Sequence, residues 1–376
     1  MPSPFLPRFS PAALLAAAWL LGPAALQAEA PAALPLSTGR WSPEKAWQWY
    51  RSHPFICGCN YIPAKAINYT EMFMPYSFDV NTMDAELALA EKTGLNAARV
   101  VLPFVVWEHD PQAFKDRLAA FLQVCDKHGI KVMPALFDDC VFGSIIDPVY
   151  GQQPEVVPGW YANAWSPSPG HAVVRDKAQW PRLERYVKDL LTTFKDDGRI
   201  LMWDLYNEPS NGGIGEVTVP LVERVFGWAR EVNPSQPLTV DTFGSPALRT
   251  VTLQQSDVIT FHDYDPPATL QAEIDDLQRT GRPVVCSEWL NRNAGSTVAA
   301  CLPIFVAENV GCFHWGLVNG RDQTDLPWGH KPGQPLPKFW QHDLFRGDHT
   351  PYNSEELTLF RRFTKVAEML RKVPGE

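Results

Sequence analysis

Eight short apolar runs, each followed by a stretch of helical periodicity, constrain the fold of this chain more than any other feature. They read FICGCNYI (55–62), NAARVVLPF (96–104), KVMPALFDD (131–139), ILMWDLYNEP (200–209), PLTVDTF (237–243), DVITFHDYD (257–265), PVVCSEWLNR (283–292) and GCFHWGLVNG (311–320). None alternates cleanly between apolar and polar, as expected of strands buried on both faces of a parallel sheet. Between them, DVNTMDAELALAEKTG closes on Gly94, and DPQAFKDRLAAFLQVCDKHG opens on Asp110 with Pro111 behind it, an N-cap with proline at the first helical position. WPRLERYVKDLLTTFKDDG repeats that pattern with Pro181 near its start. PLVERVFGWAREVNP, a short SPALRTVTLQQ, PPATLQAEIDDLQRTG, STVAACLPIFVAENVG and EELTLFRRFTKVAEMLRK complete the set. Parallel strands need crossover helices, so eight strand–helix units with a closing helix give a single-domain α/β fold, a (β/α)8 TIM barrel. An open doubly wound sheet would place a glycine-rich phosphate turn after an early strand, and none is present.

The chain has 376 residues. That is more than the usual ~150 per domain, yet single barrels commonly exceed that figure. No internal repeat or second-domain boundary is seen. Residues 1–30 read as a signal peptide: Arg8, a short apolar run from Ala12 to Leu21, then small residues with cleavage after Ala28 or Ala30. Residues 31–48 read as a Pro/Ala-rich linker and 49–374 as the (β/α)8 domain. The apolar run is too short for a spanning helix of ~20 residues, and no later run is longer. The expectation is a secreted or periplasmic protein without a membrane span. The net charge of −9, with no Lys/Arg block, argues against nucleic acid as a partner. Nothing in the pattern selects an oligomeric state.

The seven cysteines are odd in number, so a monomer leaves at least one unpaired. Cys286 and Cys312 fall inside apolar runs and read as buried thiols. Cys57-Gly58-Cys59 is too tight to bridge to itself, while a bridge such as Cys59 to Cys140 stays open. No CxxC or HxxxH set exists, so no metal and no cofactor is expected.

Now consider the polar residues at the ends of the runs. The fourth run ends at Asn207-Glu208 and the seventh at Ser287-Glu288-Trp289. In a closed eight-stranded barrel these ends face each other across the mouth. Two carboxylates ~5–5.5 Å apart there suit retaining glycoside hydrolysis, one as acid/base and one as nucleophile. Their pKa values must be driven apart, by burial for the acid and by cationic donors for the nucleophile. Arg99, in the second run, could supply such a donor; the plainer reading is a structural ion pair. His262 and Tyr264 share one face of the sixth run by period two. Tyr264 could donate to the nucleophile and His262 could tune the acid, although alone each would more often be packing. Trp315 could floor a sugar subsite, although a lone buried Trp is usually core. Asp138, Asp139 and Asp241 also end runs, where they could bind hydroxyls or cap the next helix. Two long loops bring aromatic side chains to the same face. Residues 140–180 hold Trp160, Tyr161, Trp165, Gly170 and His171; residues 319–354 hold Arg321, Trp328, His330, Trp340 and His342. Aromatic faces suit sugar rings, and about half of the tryptophans are expected to do core work instead.

On these residues the chain resembles a clan A glycoside hydrolase and is most similar to family 5, the cellulase/mannanase family. The likeness spans about residues 50–372 and rests on Arg99, Asn207-Glu208-Pro209, His262-Asp263-Tyr264, Ser287-Glu288-Trp289 and Trp315, in that order. It implies that Glu208 is the acid/base and Glu288 the nucleophile. It also implies that Asn207 binds the sugar 2-hydroxyl and that Arg99 and Tyr264 support Glu288. Many members carry a His at the end of the third strand, where this chain reads LFDDC, with Asp138 or Asp139 in its place. That departure leaves exo-action on β-mannosides, galactosides or xylosides as open as endo-action on a glucan. The alternatives are a non-catalytic carbohydrate-binding barrel, and a Ser or metal hydrolase. The second lacks a G-x-S-x-G elbow and zinc spacing.

Overall fold

The computed structural model describes residues 39–372. The expected signal peptide and the first part of the linker lie outside the described residues. Eight parallel strands form one sheet: β1 Cys57–Asn60, β2 Ala97–Val101, β3 Lys131–Ala135, β4 Trp203–Asp204, β5 Leu238–Thr239, β6 Ile259–His262, β7 Val284–Trp289 and β8 Gly311–Trp315. Their order around the sheet is β5-β4-β3-β2-β1-β8-β7-β6. Beyond the named strands, Asp241 bridges to Thr260 in parallel, and the Thr242 N–H donates to the Thr260 carbonyl at 2.9 Å. This joins β5 to β6 and closes the barrel. β4 and β5 are much shorter than the apolar runs that contain them, yet backbone pairing follows the runs toward the mouth: the Leu205 N–H donates to the Thr239 carbonyl at 2.8 Å and the Asn207 N–H to the Phe137 carbonyl at 2.7 Å.

Each expected helix is present. Asp110 caps Pro111–Lys127 by accepting from the Ala113 N–H at 3.0 Å. Gly94 ends Val80–Thr93 in the left-handed conformation, φ 91°, which glycine adopts without a Cβ penalty. Four helices were not expected: three short ones, Tyr69–Met72, Phe104–His109 and His171–Arg175, and Pro43–Ser52, which straddles the end of the segment read as a linker. Its Tyr50 is fully buried in a cluster with Ile56, Met133, Met202, Val285 and Phe313, which fills the N-terminal end of the barrel. The preceding Arg40 donates to the Ser256 and Leu253 carbonyls at 2.9 and 2.7 Å. The folded domain therefore begins before residue 49. The charged, Trp-rich helix hid this role, since its apolar face amounts to little more than Ala46 and Tyr50.

All seven cysteines are buried free thiols. Along β1 the side chains alternate, so Cys57 and Cys59 face the helix layer while Asn60 faces the barrel axis. Cys140 sits in the mouth. The two cannot meet, and the Cys59–Cys140 bridge left open by the sequence does not form.

Candidate active site

Arg99 on β2 organises the barrel mouth from beneath. It is 1% exposed. Its Nη1 donates to Asn60 Oδ1 at 2.8 Å and to Glu288 Oε1 at 2.7 Å. Nε and Nη2 donate to Asp204 Oδ2 at 2.9 and 2.6 Å, and Nη2 also to Asn207 Oδ1 at 2.6 Å. Burial alone would pull the guanidinium pKa down, but the Asp204 and Glu288 carboxylates outweigh it and hold Arg99 above its usual range. A planar fork with five donors can hold all these groups at fixed angles, which an ammonium cannot.

The end of β4 is a strained turn. Glu208 has φ 39° and Ser210 φ 82°. A non-glycine residue in the left-handed region costs about 1–3 kcal/mol and persists only where its surroundings enforce it. Asp241, just past β5, does so by accepting the Glu208 N–H at 2.9 Å. Asp139, past the end of β3, does so by accepting the Ser210 N–H at 2.9 Å, the Tyr206 hydroxyl at 2.8 Å and the Thr218 hydroxyl at 2.7 Å. Asp138 accepts from Asn207 Nδ2 at 2.8 Å, from the Cys140 N–H at 2.9 Å and from Trp165 Nε1 at 2.8 Å. Burial raises the Asp138 carboxyl to about 7, although those donors work against it.

The turn presents Glu208 to a cavity of about 380 Å³. Its Oε1 lies 2.7 Å from His262 Nδ1, and its Oε2 accepts from Cys140 Sγ at 3.1 Å and from Asn211 Nδ2. Burial pushes the Glu208 carboxyl up, but these donors, His262 first, reverse the shift and bring it below the usual value. Burial likewise lowers His262, yet the Glu288, Asp241 and Glu208 carboxylates around it raise it to about 9. The expectation that burial alone would keep Glu208 protonated is therefore corrected: in the free site the proton rests on the His262 side of the pair. A register shift between Phe261 and His262 pairs His262 with Glu288 across β6 and β7, which is how the imidazole reaches both carboxylates. On the far wall, Glu288 Oε2 accepts the Tyr264 hydroxyl at 2.6 Å and lies 3.6 Å from His262 Nδ1.

Of the residues singled out in the sequence, Asn207, Glu208, His262, Tyr264, Glu288 and Trp315 line the cavity. Arg99, Asp138 and Asp139 do not. They stand behind it, each almost wholly buried and bonded to protein groups, so the candidate hydroxyl-binding role of the two aspartates gives way to bracing the β4 turn. From the long loops, Tyr161, Trp165 and Trp328 reach the cavity. His342 instead stacks behind Trp315, ring centroids 5.8 Å apart. Sequence reasoning missed Cys140, Phe142, Asn211 and Phe243 on the cavity wall and Asp204 beneath it. The signal for Asp204 was present: a carboxylate inside one buried strand and a guanidinium inside another are natural partners. One donor atom each from Glu208, His262 and Glu288 lie within 4.8 Å of one another, and these are the groups that could hold a cation among the described residues. Arg99 already balances Glu288 there, and His262 Nδ1 already faces Glu208.

A closed (β/α)8 barrel whose mouth sets one carboxylate from β4 opposite one from β7 is the architecture of a glycoside hydrolase. The family model for cellulase (glycosyl hydrolase family 5) matches residues 62–320. The chain belongs to that family. Solved structures share its fold at low identity. One is a GH5_18 protein from Streptomyces cattleya in complex with GlcNAc, 14% identical with a TM-score of 0.57, covering 86% of this chain and 81% of that one. An exo-β-1,4-mannosidase from Opitutaceae bacterium strain TAV5 is 18% identical with a TM-score of 0.55, covering 83% of this chain and 60% of that one. An endo-β-1,4-mannanase from Thermotoga petrophila is 14% identical with a TM-score of 0.54, covering 85% and 78%. No curated protein sequence matches the chain.

Proposed function

We propose that the protein is an exported retaining β-glycosidase that cleaves β-linked carbohydrate by double displacement, with Glu288 as nucleophile and Glu208 as acid/base. The observation that carries this reading is the unlike setting of two carboxylates whose oxygens approach within 4.8 Å. So close an approach suits the short carboxyl separation of retaining enzymes rather than the wider one of inverting enzymes. Glu288 is fixed by Arg99 and Tyr264, so its free lone pairs can attack the anomeric carbon. Glu208 Oε1 faces His262 Nδ1 at 2.7 Å, so a proton can pass between them. In the first step the C1–O bond breaks, C1 bonds to a Glu288 oxygen, and the proton held between His262 and Glu208 passes through Glu208 to the leaving oxygen. In the second step Glu208 takes a proton from water, whose oxygen displaces Glu288 from C1. Asn207, its amide oxygen turned to Arg99, is placed to meet the 2-hydroxyl beside the bond.

Glu288→Ala should abolish turnover of aryl β-glycosides, azide should restore Glu208→Ala on activated substrates, and proton NMR should show the first-formed anomer to be β. Full activity in both variants would sink the assignment. Export is tested by fractionating cells that express the full chain and by N-terminal sequencing, with cleavage expected after Ala28 or Ala30.

A further inference from the structure

We infer that the cavity holds one terminal sugar ring and that the enzyme releases it from the non-reducing end of its substrate, acting in exo mode. This rests on the glycosidase reading above and adds the mode of attack. The observation is a wall built over one half of the barrel mouth. β8, β1, β2 and β3 are neighbours in the sheet, and the loops after β1, β3 and β8 are tied to one another in all three pairings. From the β1 loop, Asn68 Nδ2 donates to the Ala164 carbonyl at 2.7 Å and to Gln153 Oε1 at 3.0 Å. From the β8 loop, Arg321 Nη1 donates to Glu71 Oε2 at 2.7 Å, and its N–H donates to the Ala64 carbonyl at 3.0 Å. Gly320 meets Ala64 so closely that a Cβ there would lie 2.4 Å from the Ala64 backbone.

The β3 and β8 loops are then stitched along their length. The Tyr161 N–H donates to the His330 carbonyl at 3.2 Å and the Ala162 N–H to the Asp322 carbonyl at 2.9 Å. Gln323 accepts from the Gly159 N–H at 2.8 Å and donates to the Val157 and Trp160 carbonyls at 2.9 and 3.0 Å. Three aromatic side chains finish the inner surface of this wall: Trp315 at 6% exposure, Trp165 at 3% and Tyr161 at 2%.

The opposite half is low. Asn211 and Phe243, from the loops after β4 and β5, are part-exposed, and the β8 loop reaches that side only with Trp328 at the rim, 45% exposed. Chemistry orients the substrate across this asymmetry. Glu208 protonates the leaving oxygen, so the departing alcohol lies on the β4 side, over Asn211 and Phe243. The ring whose C1 bonds to Glu288 must then point the other way, against Trp315, Trp165 and Tyr161. A chain continuing beyond that ring would run into the wall. The cavity of about 380 Å³ agrees, lying at the low end of the ~300–1,000 Å³ range of small-ligand sites.

The test begins with an aryl β-glycoside panel on the wild-type enzyme, with Glu288→Ala as control, to identify the sugar. β-Linked oligosaccharides of that sugar, labelled at the reducing end, are then followed in time. The expected result is free monosaccharide and labelled chains shortened one unit at a time, with no cleavage when the non-reducing end is blocked by a 4,6-O-acetal. An aryl glycoside of the disaccharide should release its aryl group only after a lag, once the outer sugar has been removed. Internal fragments from the outset, cleavage of blocked chains, or aryl release without a lag would overturn exo-action while leaving the glycosidase reading standing. No turnover of any substrate by the wild type would overturn both.

Discussion

His262 Nδ1 lies 2.7 Å from Glu208 Oε1, and both side chains are largely withdrawn from solvent. Burial opposes a charged imidazole, but Glu288, Asp241 and Glu208 raise it to about 9 from 6.5. The protonated imidazole in turn helps to hold Glu208 below its ordinary 4.5.

The pH dependence of stability follows with a definite sign. A raised folded pKa gives His262 a contribution that is complete below about 6.5 and lost as the pH rises through about 9. Glu208, lowered, contributes above 4.5 and loses that contribution as the pH falls through its depressed value. Thermal melting of wild type minus His262→Gln should show a difference that fades on the alkaline side. In pH–rate profiles, His262→Gln should move the alkaline limb of kcat/KM to lower pH, because the buried carboxyl must then keep its own proton. An unmoved limb would show that the pair does not share the acid function.

Arg99→Met should destabilise the fold by about 3–5 kcal/mol, the cost of leaving a buried partner charge uncompensated. Asp204 is wholly buried and receives Nε and Nη2 of Arg99. Adding Asp204→Asn should recover part of that loss in denaturant titrations without restoring turnover, since Glu288 still lacks its donor. Additive losses would mean that the two side chains are not coupled.

Cys140 should be a poor nucleophile despite its place in the pocket. Burial, reinforced by the Asp138 and Glu208 carboxylates, pushes its thiol well above the usual value. Iodoacetamide at mild pH should leave it unmodified in the native protein and modify it after unfolding, read by peptide mass spectrometry. Cys140→Ala should keep the fold and lower kcat more than it changes KM, because the thiol touches Glu208 Oε2.

Trp328→Ala should raise KM for disaccharides more than for small aryl glycosides. The indole packs edge-on against Tyr264, centroids 4.8 Å apart, and presents its free face at the rim. Loss of one aromatic contact of about 0.5–1.5 kcal/mol corresponds to roughly 2- to 13-fold in affinity. Equal effects on both substrates would place Trp328 outside the leaving-group region.

Much of the site could be read along the chain because barrel strands deliver their terminal side chains to one face. Glu208 and Glu288 were conspicuous as carboxylates closing apolar runs, and His262 and Tyr264 as polar residues two apart. The remainder depended on angles that spacing does not encode. Asp138 and Asp139 end a run as Glu208 does, yet they turn inward to brace the chain. Asn211 and Cys140 reach Glu208 only because that residue adopts φ 39°. The wall of loops was legible as two long aromatic segments, but the glutamine that stitches them, Gln323, carried no local signal.

That wall also orders events in time. On the exo reading proposed above, both halves of a cleaved substrate would pass the low side of the pocket, by Asn211 and Phe243. On that reading the alcohol departs before water enters, while the sugar bonded to Glu288 stays behind it. During that interval another alcohol can take the place of water on the same side. A sugar acceptor would then be extended rather than a substrate shortened, and the free monosaccharide, last to leave, would compete with each new chain for entry.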